Sequence, residues 1–72
     1  MDKEQVCKIC SSLPEHYFLT IGLNRGKEQL EELVQFEGFD NEGNPQFYLG
    51  NIPLNLKELG GYNSIIYLDT TL

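Results

Sequence analysis

Cys7, Cys10 and His16 are the residues of this 72-residue chain whose types and spacing invite chemistry. Thiolate and imidazole ligate zinc, a Cys-x-x-Cys pair can cycle between dithiol and disulfide, and a Cys beside a His can act as a nucleophile. Each reading makes a demand. A structural zinc takes four ligands, and with no second Cys pair in the chain a fourth ligand would come from a carboxylate or another chain. A redox pair opens a helix after a strand, whereas this pair falls inside the first expected helix with no strand before it. A catalytic Cys–His dyad lacks a companion Asn or Asp in pattern. Packing is the leading reading, and a zinc held by Cys7 and Cys10 between two copies of the chain is the alternative. Cys10 shares a helical face with Val6, Ile9 and Leu13, and a buried free Cys behaves as a small hydrophobe. His16 reads as a half-exposed polar residue at a strand start.

Other catalytic signatures are missing. The carboxylate pair Glu31-Glu32 sits in a charged surface segment, without the apolar pocket that raises a carboxylate pKa. Gly60-Gly61 reads as a helix terminator, and the chain has no GxxxxGK or GxGxxG phosphate loop. No enzyme, cofactor or metal is expected. A module that binds a protein is the default.

Charge carries more information. Eleven acids oppose five bases, for a net charge of −6. Between Lys27 and Lys57 there is no basic residue, while Glu28, Glu31, Glu32, Glu37, Asp40 and Glu42 all fall there. The five acids outside that segment offset the five bases. Nucleic acids and anionic membranes are bound by Lys and Arg, so direct contact with either is not expected. Tyr17, Tyr48, Tyr62 and Tyr67 could stack bases, but no basic residues are interleaved with them. A protein partner with a basic surface fits, because complementary charge speeds encounter. The alternative is an acidic, solvated face that serves only solubility.

The elements that must position these residues form one domain, 1–72. A chain of this size buries only ~60% of its unfolded surface, and such domains gain from a partner or a cross-link. Asp2 and Gln5 sit at capping-box positions, and Val6, Ile9, Cys10 and Leu13 follow at one-face helical spacing until Pro14. Residues 16–23 read as a strand with Tyr17, Leu19, Ile21 and Leu23 on one face and Phe18 and Thr20 on the other. Residues 27–31 read as a helical turn or link, and 32–39 as a strand. Asp40 to Asn44 reads as a hairpin turn, with 46–49 as the returning strand. Residues 51–61 read as one short helix ended by Gly60. Residues 64–69 form a last strand, apolar on both faces, as in a central strand or one meeting another subunit; a homodimer is expected. The fold class is α+β, with one small antiparallel sheet of three to four strands, an N-terminal helix and a short helix before the last strand. The start Met1-Asp2-Lys3-Glu4 is no export signal, and free cysteines suit a reducing cytoplasm.

Residues 40–68 carry a resemblance. DNEGNPQFY, IPLNLKELGGYN and SIIYLD are similar in order to segments of the small phage inhibitors of uracil-DNA glycosylase. Asp40 and Gly43 match the family's acidic turn, Phe47 and Tyr48 its aromatic pair, Ile52 and Leu54 its helix entry, Glu58 its helix glutamate, and Asn63 with Ile65-Ile66 its closing strand. The resemblance implies a dimerising unit that fills the enzyme's DNA-binding cleft. Lys57 stands where the family has an aromatic residue, and Tyr62 comes one position late. Charge and resemblance together predict a cytoplasmic inhibitor that mimics DNA, and the resemblance implies that it is phage-encoded. Its partner-binding residues would be Glu28, Glu31, Glu32, Glu37, Asp40, Glu42, Glu58 and Tyr62. The alternative is a small dimeric adaptor or structural protein.

Overall fold

The computed structural model describes residues 1–71. Helix α1 (Lys3–Cys10) opens with the expected capping box: the Asp2 carboxylate accepts the Gln5 N–H, and the Gln5 side chain accepts the Asp2 N–H. The helix ends before Pro14, where the Ser11 and Ser12 hydroxyls donate back to the Lys8 and Ile9 carbonyls. Its inward face buries Val6 and Cys10.

Five strands follow: β1 (Tyr17–Arg25), β2 (Glu28–Phe39), β3 (Pro45–Leu49), β4 (Ile52–Pro53) and β5 (Ile65–Asp69). They form one antiparallel sheet in the order β4-β3-β2-β1-β5. The α+β class stands, and the sheet has five strands rather than three or four. β1 turns into β2 through Gly26 and Lys27, with Gly26 at φ 63°, a value that glycine adopts without strain. Strand alternation sends Leu19, Ile21 and Leu23 of β1 inward, as expected, with Val34 and Phe36 of β2, Phe47 of β3 and Ile65 of β5. These residues and α1 build the core on one side of the sheet.

Two expectations are corrected. Residues 28–31 belong to β2, not to a link, because Arg25 pairs with Glu28 and ladder pairing runs unbroken to Tyr17–Phe36. Residues 51–61 form no α-helix. Ile52–Pro53 folds back on β3, the Leu54 N–H donates to the Phe47 carbonyl, and only tight turns follow. Gly60 at φ 105° and Gly61 at φ 80° close the last of these turns, and a 3₁₀ turn over Tyr62–Ser64 leads into β5. Leu54, Leu56 and Leu59 still pack on the core, without helical spacing.

Candidate protein-binding face

The layers leave one side of the sheet open. By strand alternation and register, Phe18, Thr20 and Gly22 of β1 point there. Opposite them on β2 stand Gln35, Leu33 and Glu31, and on β5 Asp69 pairs with Thr20 and Tyr67 with Gly22. Tyr48 of β3 joins through its pairing with Gln35. Phe18 is 47% and Leu33 56% exposed, large values for apolar side chains at the middle of a sheet. Glu37 follows the inward Phe36 and also points outward.

Tyr67 shapes this face. Its ring lies over Gly22, where a side chain would overlap it, and its hydroxyl donates to the Glu31 carboxylate. That bond to an acceptor carboxylate raises the Tyr67 pKa above its ordinary value. At the far end, His16 Nδ1 sits 2.6 Å from the Glu37 carboxylate. The hydrogen bond to Glu37 and its charge raise the His16 pKa. His16 holds a φ of 67°, and its backbone is pinned by the Phe36 carbonyl at 2.7 Å and the Gln35 amide at 3.1 Å. Glu31, Glu37 and Asp69 thus surround a mixed centre in which Phe18, Leu33 and the Tyr67 ring are apolar and Thr20 and Gln35 polar. The strand positions facing this side contain no Lys or Arg. Lys3 and Lys8 lie on α1, across the sheet.

The eight sequence-derived residues do not share one surface. Glu31 and Glu37 lie on the open face. Glu32 pairs with inward Ile21 and takes the covered side, and Glu28 lies opposite Arg25 at the hairpin end. Asp40, Glu42, Glu58 and Tyr62 come together elsewhere. They line an open depression of about 880 Å³, with Leu54 and Leu56 among its apolar walls. Much of their polarity is already engaged, as is that of the face carboxylates, where Glu31 accepts from Tyr67, Glu37 pairs with His16 and Asp69 accepts from the Thr71 N–H and hydroxyl. The Asp40 carboxylate accepts the Glu42 and Asn44 N–H groups at 2.9 and 2.8 Å and organises the hairpin turn. Those bonds hold its pKa below the ordinary value. Tyr62 donates to the Asn44 side chain at 2.8 Å, and burial raises its pKa. Lys57 lines the depression too, and Lys3 reaches the Glu42 carbonyl, which dilutes the negative field there.

The three residues that invited chemistry part company. Cys10 is fully buried, and burial pushes its thiol up to about 12. Cys7 turns to the Gly43 carbonyl at 3.5 Å, while His16 turns to Glu37. Among the described residues no three His, Cys, Asp or Glu side chains gather as metal ligands, and no helix is long and apolar enough to cross a membrane.

The sequence reading missed Phe18, Leu33, Tyr48, Tyr67 and Asp69 as members of one face. The period-two alternation through 29–37 and 67–69 is the signal that groups them. Comparison with known proteins adds nothing to this geometry: the chain matches no protein-family model, no curated protein and no solved structure.

Proposed function

We propose that this chain is a non-enzymatic, acidic protein-binding module that inhibits a nucleic-acid-handling enzyme, acting in the cytoplasm. It occupies a basic surface that otherwise receives phosphates. The observation that supports this reading is the open sheet face, where Glu31, Glu37 and Asp69 surround Phe18, Leu33 and the Tyr67 ring, with no Lys or Arg among its strand positions and with His16, charged only when protonated, beside Glu37. Carboxylates supply long-range attraction to Lys and Arg, and the aromatic and leucine side chains add the contact that charge alone lacks. The acidic residues are split between two sides, so the mimicry rests on the face carboxylates rather than on the whole central segment. Uracil-DNA glycosylase is the partner named by the resemblance of residues 40–68, and a phage origin goes with it, although Ile52, Leu54 and Glu58, which match helix positions of that family, lie here in β4 and the turns after it.

The test is uracil excision by that glycosylase at rising concentrations of this chain, at low and high salt. Inhibition that weakens with salt supports the proposal, because screening acts on exposed charge pairs. Undiminished excision at every salt concentration removes the glycosylase as partner, and salt-independent inhibition removes the electrostatic account.

A second reading, a dimeric adaptor whose acidity serves solubility, is favoured by one observation. β5 is an edge strand, and its Ile66 and Tyr67 are 43% and 37% exposed. Sedimentation equilibrium at micromolar concentration tests it: a dimer supports this reading and a monomer removes it.

A further inference from the structure

We propose that the open sheet face seats an amphipathic α-helix with a basic flank, contributed by the partner. The inference rests on the protein-binding reading above and specifies what the partner presents. The backbone hydrogen bonds of β1 and β2 lie in the plane of the sheet, so this face offers side chains; the backbone edge that β3 does not reach, along residues 28–34 of β2, lies at the rim. Strands add to sheet edges, whereas helices lie across sheet faces.

The dimensions fit. Tyr48 on β3 and Tyr67 on β5 are separated by three strand intervals, or roughly 14 Å at ~4.8 Å each. Phe18 to Gly22 along β1 adds about 13 Å. A three-turn helix is about 16 Å long and about 10 Å across. Laid over Thr20, its apolar stripe meets Phe18, Leu33 and the Tyr67 ring. Its polar edges then fall near Glu31, Glu37 and Asp69, and complementary charge there requires Lys or Arg. A second copy of this chain on the same face would oppose these carboxylates with their own kind, so the face disfavours self-docking. The opposite side of the sheet already carries α1, and a docked helix would complete a three-layer arrangement.

The experiment is a titration of isotope-labelled chain with a synthetic amphipathic peptide, Leu on one face and Lys and Arg on both flanks, followed by amide chemical shifts. The control peptide replaces every Lys and Arg by Glu. The expected result is a shift set centred on Phe18, Thr20, Leu33, Tyr48 and Tyr67, seen with the basic peptide alone. Leu33→Asn, at an exposed position that leaves the core intact, is expected to weaken binding about tenfold. Glu31→Gln with Glu37→Gln is expected to weaken it by a similar factor and to flatten its salt dependence. Shifts confined to the Leu54–Glu58 side, equal binding of the acidic peptide, or no shifts at millimolar peptide each overturn the proposal. The variants separate its two layers. Binding that survives Leu33→Asn but is lost with the glutamine pair removes the helix and leaves the charge-driven reading. Binding indifferent to both removes both.

Discussion

Gly22→Ala is a small substitution for which the structure predicts a change of sign between two backgrounds. Gly22 lies mid-strand in β1, paired with Glu31 and Tyr67, and is not among the glycines with positive φ. Its backbone therefore accommodates alanine without strain, and at such sites Gly→Ala stabilises by about 0.4–1 kcal/mol through the unfolded chain. The obstacle is Tyr67. A methyl carbon on Gly22 would overlap the ring, with Cζ 2.8 Å away. One relief is to move β5 against β1, and inserting a methyl group into a packed site costs about 1–3 kcal/mol. The other is to swing the ring outward, which breaks the hydrogen bond from Tyr67 to Glu31 and uncovers the face. Set against the gain through the unfolded chain, a cost of about 1–3 kcal/mol leaves Gly22→Ala alone destabilising by roughly 1 kcal/mol, and a domain this size loses about 4–8 °C of Tm per kcal/mol. In a Tyr67→Ala background the overlap is gone, and the same change raises Tm. Circular dichroism melts of the four proteins form the double-mutant cycle. A Gly22→Ala melt equal to or above that of the parent, or the same shift in both backgrounds, refutes the placement of Tyr67 over Gly22.

Three further predictions concern ionisable groups. The Asp40 carboxylate, held below its ordinary 3.8 by the N–H groups of Asn44 and Glu42, stabilises the hairpin fully above pH 3.8, and this is lost as pH falls through the lower folded value. Asp40→Asn should flatten stability against pH in that acid range, and an unchanged acid limb in urea titrations contradicts the assignment. His16 is raised above 6.5 by Glu37, so its contribution is complete below pH 6.5 and is lost as pH rises through the folded value. His16→Gln should abolish that loss. Binding of a basic partner to the parent chain should strengthen over the same rise, as Glu37 sheds its counter-charge; binding titrations across the range check this. With its thiol pushed up to about 12 by burial, Cys10 should resist alkylation that labels Cys7. Mass spectrometry should find one fast adduct on the native protein and two in denaturant, and two fast native adducts would place Cys10 at the surface.

Much of the fold was legible where a single local pattern decided it. The capping box at Asp2 and the one-face spacing of Val6 and Cys10 gave α1, and the alternation of Leu19, Ile21 and Leu23 gave β1 its inward side. β2 was obscured because Glu32 occupies a position facing the covered side while Leu33 occupies one facing out, so Leu30, Leu33 and Val34 imitate a helical stripe. Residues 51–61 misled for a different reason. Pro53, the leucines and Gly60 match helix signals one by one, yet Ile52 and Pro53 pair with β3 as a two-residue edge strand and tight turns follow. Counting charges along the sequence paired Asp69 with distant bases, although it faces the open side and Lys3 and Lys8 lie across the sheet. A strand's side is a property of tertiary register, which charge counting does not contain.

The claim that the open face recognises its partner is tested most directly by two variants of equal net charge. One carries Glu31→Gln, Glu37→Gln and Asp69→Asn on the face. The other carries Glu28→Gln, Glu42→Gln and Glu58→Gln, away from it. Isothermal titration with the basic amphipathic peptide should show binding lost in the first and kept in the second. Equal losses in both would mean that net charge, not this face, governs recognition.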